Sequence, residues 1–148
     1  MENLWTKIND NVPIYFEEIS QEYKLNTVKI SDLKTAFLGN KFAIIISIGR
    51  FDVDVFYASV IDDKQQILSC GNFLAEKYTD EDRKYLQQES NAETIITNYL
   101  IVIANGMKSK WDNLLRGETK WIEDFKKSKW YSHASLSHDE STVLWEMI

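Results

Sequence analysis

Phe42-Ala43-Ile44-Ile45-Ile46-Ser47-Ile48-Gly49-Arg50-Phe51-Asp52-Val53-Asp54-Val55-Phe56-Tyr57 is the stretch on which the fold turns. Two runs rich in β-branched and aromatic residues flank Gly49-Arg50, and a glycine at the first of two loop positions suits the positive φ of a type II′ hairpin. A two-residue loop sets Ile48 opposite Phe51, Ile46 opposite Val53, Ile44 opposite Val55 and Phe42 opposite Tyr57, so that one face is wholly apolar. The other face sets Ser47 against Asp52, Ile45 against Asp54 and Ala43 against Phe56, a mixed surface suited to solvent or a partner. The second strand is expected to run from Phe51 to Ile61. A turn at Asp62-Asp63-Lys64 then leads into a third strand through Ile67 and Cys70, and upstream Val28 and Ile30 alternate as another strand.

Helical periodicity lies on both sides of this meander. Residues 2–24 carry Phe16, Ile19 and Tyr23 at spacings of three and four, with a break expected near Asn11-Val12-Pro13 because proline is unwelcome inside a helix. Downstream, Thr79-Asp80-Glu81-Asp82 offers an N-cap followed by acids, and Ser90-Asn91-Ala92-Glu93 reads as a capping box. The helix it opens, from Ile95 through Ala104, has almost no polar side and is expected to be buried on the apolar sheet face, ending at Gly106 as a C′ residue. Two shorter helical pieces, 110–115 and 119–127, are separated by Gly117. The expected fold is one α+β domain over 1–148, with an N-terminal helix, an antiparallel meander of about three to five strands, and C-terminal helices packed on one sheet face.

The bulk composition agrees with a folded chain. At 148 residues with 44% hydrophobic side chains, folding buries roughly 70% of the unfolded surface without a metal or disulfide. Seventeen basic against 23 acidic residues leave a net charge of −6, which disfavours nucleic acid and favours encounter with a basic protein. The single cysteine, Cys70, forms neither an internal disulfide nor a thiolate metal cluster, and the opening residues lack a secretory signal. Phe42 to Ile46, like Tyr99 to Ala104, is far too short an apolar run to span a bilayer, so a cytoplasmic location is expected.

Motifs that carry chemistry are sparse. His133 and His138 stand five apart, off the spacing of one helical face, and no third metal ligand is indicated. Asp52 and Asp54 share a strand face in this register and would raise one another's pKa if buried, but no nucleophile or oxyanion donor accompanies them. Asp62, Asp63, Asp80, Glu81 and Asp82 lack the spacing of a calcium loop, and Cys70 has no evident activating neighbour. The five glycines stand apart, so no phosphate-cradling loop is formed. Trp111, Trp121 and Trp130 alternate with lysines as in single-strand nucleic-acid platforms, but Asp112, Glu118, Glu123 and Asp124 dilute that charge and favour tryptophans docked on the core.

An N-terminal helical segment, a short antiparallel meander holding Phe42 to Ile48 and Phe51 to Val60, and tryptophan-bearing C-terminal helices make the chain similar to small bacterial immunity proteins, the antidotes of contact-dependent-inhibition and other polymorphic toxin systems. The likeness is one of size, acidity and layout. It implies tight, stoichiometric binding of one cognate toxin domain, often a basic nuclease, while the sparse motifs above give the expectation of no catalysis and no cofactor or metal. The candidate contact surface is Asp52, Asp54, Phe56, Asp62 and Asp63 on the outer sheet face and its turn, with the acids Glu17, Glu18, Asp80, Glu81 and Asp82 as an equal alternative. The alternatives are a structural or regulatory interaction subunit with another partner and, last, a small hydrolase using Asp52 and Asp54 or His133.

Overall fold

The structure, a computed structural model, describes residues 3–84, 86–88 and 91–148. Asn26–Ser31 (β1), Lys34–Gly39 (β2), Phe42–Ile48 (β3), Val53–Ile61 (β4) and Lys64–Ser69 (β5) form a five-stranded antiparallel meander in the order β1-β2-β3-β4-β5. Asp62 and Asp63 join β4 to β5 with φ of 53° and 65°. Two successive left-handed residues make a type I′ turn, whose twist matches that of the flanking strands, and aspartate tolerates this region better than most residues.

The β3–β4 connection differs from the two-residue hairpin. Ile48 pairs with Val53 and Phe42 with Ser59, so Gly49, Arg50, Phe51 and Asp52 all lie in the loop. The loop is closed by the Gly49 N–H donating to the Asp52 carbonyl at 2.9 Å, and the Trp5 indole N–H donates to the Arg50 carbonyl. The shift amounts to two residues on β4. Because side chains alternate with a period of two, Ile44, Ile46, Ile48, Val53, Val55 and Tyr57 still share one face, although every cross-strand partner has changed. Alternation fixes the face; turn length fixes the partner.

That inner face carries the main core. Leu4–Tyr15 (α1) and Glu17–Tyr23 (α2) cover one side of it, and the helix boundary falls at Phe16, three residues beyond Pro13. Pro13 sits in the last turn of α1, where it lacks the N–H that would bond to the Asn9 carbonyl and the helix ends two residues later, while the ring of Phe16 enters the core 5.1 Å from that of Phe37. Ala92–Lys110 (α4), Asp112–Leu115 (α5) and Trp121–Lys127 (α6) complete the layer. Trp111 and Trp121 are buried in it as expected, and the Trp111 indole N–H donates to the Leu74 carbonyl at 3.0 Å.

Two expectations about α4 need correction. It continues through Gly106, which lies mid-helix because Tyr78 crosses there: a Cβ at that position would stand 2.2 Å from the tyrosine ring. Nor is α4 buried all round, since Ile96, Leu100, Ile103 and Met107 face the sheet while Tyr99 is 47% exposed and Val102 half-buried. The observed N-cap is Asn91, whose side-chain oxygen accepts the Thr94 N–H at 2.9 Å. Ser90 of the anticipated capping box lies outside the described residues.

The other sheet face is covered as well. Residues 133–136 and His138–Met147 (α7) lie across it and bury Ile30, Ala36, Ala43, Ile45, Phe56 and Ala58 beneath Leu144 and Trp145. The approach begins at β5, where the Ala134 N–H donates to the Ile67 carbonyl and the Ser69 N–H to the Ser132 carbonyl. Ser137 and Glu140 cap α7 reciprocally, and Glu140 also pairs with Lys34 of β2 at 3.0 Å. The architecture is therefore α+β with N-terminal helices, a meander sheet and C-terminal helices, the last of which crosses to the opposite face.

Candidate partner-binding surface

The sequence-derived contact residues do not share one surface. Phe56 is buried under α7, with Leu144 in the same small core, and is thereby withdrawn from any contact with a partner. Asp62 and Asp63 are exposed, but they lie at the far end of β4, roughly 26 Å along the strand from Asp54 at 3.3 Å per residue. Asp62 is also paired with Lys126 Nζ at 3.1 Å. The outer sheet face that was to unite these residues is occupied by the chain's own C-terminal segment.

Asp52 and Asp54 remain together at the opposite end. Asp52 lies in the β3–β4 turn and Asp54 is the second residue of β4, both exposed, with Phe51 beside them at 56% exposure. Partial desolvation, followed by the charge of Asp52, raises the Asp54 carboxyl above the usual carboxylate range although the residue is exposed. Among the described residues, neither acid has a basic group within ion-pair distance, whereas Asp10, Glu18, Asp82, Asp112 and Glu140 all do. Asp63, Glu93, Glu123 and Asp139 are likewise outside ion-pair distance of a base among the described residues, so Asp52 and Asp54 are among several uncompensated acidic positions.

The turn borders a cleft of about 400 Å³ between the start of β4, Gly71–Ala75 (α3), the 3-10 turn Asp80–Arg83 and α4. Its apolar wall is formed by Val53, Val55, Ala75, Ile95, Tyr99 and Val102, with Asp54, Asn72, Arg83 and Asn98 as polar lining. Two local devices build it. Gly71 lets the chain after β5 cross β4 closely, since a Cβ there would lie 3.2 Å from the Val55 nitrogen. Asp82, almost wholly buried, accepts hydrogen bonds from the Thr79 N–H and the Ser109 hydroxyl and pairs with Lys110 at 3.2 Å, clamping the 3-10 turn onto α4. Burial works against the Asp82 carboxylate, but these donors outweigh it and hold its pKa below the usual value.

Sequence reasoning missed the part of this site that α4 supplies. Ile95, Tyr99 and Val102 recur at spacings of four and three, a second apolar stripe beyond the one that meets the sheet. Read as an unbroken apolar helix, the pattern implied burial; the surplus stripe was the available sign of another surface.

The remaining chemical candidates are accounted for by packing. Cys70 is fully buried at the end of β5, where burial pushes its thiol up to about 12 and leaves it unreactive. His133 lies in the strand-like segment beside Leu68, with Nε2 3.2 Å from Gln66 Oε1, and His138 opens α7, so the two histidines belong to separate elements. No three His, Cys, Asp or Glu side chains converge on a metal-sized site among the described residues. No described helix is long and apolar enough to cross a membrane. No protein-family model, curated protein or solved structure matches the chain.

Proposed function

We propose that this chain is a protein-binding module that acts in a cytoplasm, and that its partner is a basic toxin domain which it neutralises by stoichiometric association. The observation carrying the reading is the β3–β4 end of the sheet, where Phe51 is exposed, with the Arg50 guanidinium 5.5 Å from its ring centre, next to two acids that form no ion pair among the described residues. An exposed aromatic supplies the apolar anchor of an interface, and uncompensated like charges supply both steering and a reason to prefer a cationic partner. The net charge of −6 extends that field over the molecule.

The test is co-expression with a toxin domain encoded beside this gene, followed by association kinetics over a range of salt. Protection of the cells and a one-to-one complex are expected. Replacing Asp52 and Asp54 together with lysine should slow association roughly tenfold at low salt and flatten its salt dependence. A partner that binds the double variant at the unaltered rate would remove this end of the sheet from the interface, and a toxin domain that neither binds nor is restrained would remove the antidote reading itself.

A further inference from the structure

The tip of the β3–β4 loop carries three exposed side chains in the order positive, aromatic, negative: Arg50, Phe51 and Asp52. Phe51 is 56% exposed, and the Arg50 guanidinium lies over its ring. Neither Arg50 nor Asp52 forms an ion pair among the described residues. The backbone beneath them is pinned twice, by the Gly49 N–H on the Asp52 carbonyl at 2.9 Å and by the Trp5 indole N–H on the Arg50 carbonyl at 3.0 Å. A tip held in this way loses little conformational freedom when another surface docks on it.

Such a triplet is complementary to itself. A two-fold interface sets residue i against j and j against i. Two copies of the tip laid antiparallel about an axis through Phe51 therefore place ring beside ring, Arg50 against Asp52 of the second copy, and Asp52 against its Arg50. A second copy thus offers both signs of charge at the spacing the tip requires. Apolar surface continues on one side, where a groove of about 590 Å³ is lined in part by Trp5, Leu33 and Ile48, and Leu33 is 38% exposed. The net charge of −6 on each copy opposes the approach and keeps the association weak.

We propose that this chain forms a weak, two-fold symmetric dimer through the tips of its β3–β4 loops, with the two Phe51 rings packed between reciprocal Arg50–Asp52 pairs. The dimer covers the end of the sheet assigned above to a toxin domain, so the two occupants exclude one another.

Sedimentation velocity and the concentration dependence of the backbone amide shifts test the pairing with no partner present. A contact confined to the tip and its margin predicts a dissociation constant on the order of 0.1–1 mM, with the shifts centred on Gly49, Phe51 and Val53. Arg50→Asp and Asp52→Arg should each weaken self-association at least roughly tenfold by setting like charges face to face. An equimolar mixture of the two variants should pair at least as tightly as the wild-type chain, because each then supplies the sign the other lacks. Amide spectra establish that both variants are folded. A chain that stays monomeric up to roughly 1 mM, shifts centred away from the loop, or a mixture that pairs no better than its components would each overturn the proposal. A monomer that still restrains a toxin domain would overturn the dimer and leave the protein-binding reading standing. A dimer with these charge dependences that restrains no toxin domain would support the pairing and remove the antidote reading alone.

Discussion

The two faces of the sheet are built from the same strands by different means. On the inner face, large rings interlock: Tyr57 meets Trp121 edge-on at 5.1 Å, and Phe73 meets Phe125 at 5.2 Å. On the outer face Ala43 and Ala58 are cross-strand partners, flanked by the Ile45–Phe56 pair, so the centre of the sheet is shallow and Leu144 of α7 settles against it. The inner core is held by volume. The outer one is thin, and its cover is fastened at the margin by polar contacts between Glu140, Ser137 and Lys34.

The contrast has measurable consequences. Trp111→Ala on the inner side removes a fully buried ring and its hydrogen bond to Leu74, and should cost about 4 kcal/mol in denaturant unfolding. Leu144→Ala on the outer side should cost about 2–3 kcal/mol, because the thin layer over small residues collapses more readily around the missing methyls. Equal losses would show that the two cores are energetically alike despite their different construction.

The smallest expected effect concerns the margin. Burial raises the Glu140 carboxyl, but the Ser137 N–H, the Ser31 side chain and Lys34 together outweigh it and hold the carboxyl at about 2 against an ordinary 4.5. A depressed folded-state pKa contributes stability that is complete above the unfolded value and lost as the carboxylate is protonated. Acid should therefore loosen α7 between pH 4.5 and about 2. Glu140→Gln should remove that acid-sensitive part and cost about 1–2 kcal/mol at neutral pH, measured by unfolding at several pH values. An unchanged acid profile in the variant would show that the cover is held by Leu144 and its neighbours alone.

The same contrast explains what was legible in the sequence. The alternation of Ile44, Ile46 and Ile48 with Val53, Val55 and Tyr57 specified the inner face correctly even though the hairpin register was off by two, because such a shift preserves alternation. The outer face was misjudged because Asp52 and Asp54 were given strand positions opposite Ser47 and Ile45. In the observed register Asp52 falls in the turn, and the row behind Asp54 is Ile45 with Phe56 and Ala43 with Ala58, a pattern that calls for a cover. Nothing local to α7 names its destination, since a short amphipathic helix is compatible with either face; the tie at Leu68 and His133 that directs it is a long-range contact. The candidate site was legible in Asp52 and Asp54 and obscured in α4, where apolar residues on two stripes looked like one buried helix.

The burial of Cys70 has practical weight. A lone thiol sealed at the junction of β5 and α3, its proton held to about pH 12, is silent toward thiol reagents while the surrounding elements remain assembled. Labelling of that atom is thus a clock for openings of the interior, and a ligand seated in the neighbouring cleft would register as a slowing of the clock.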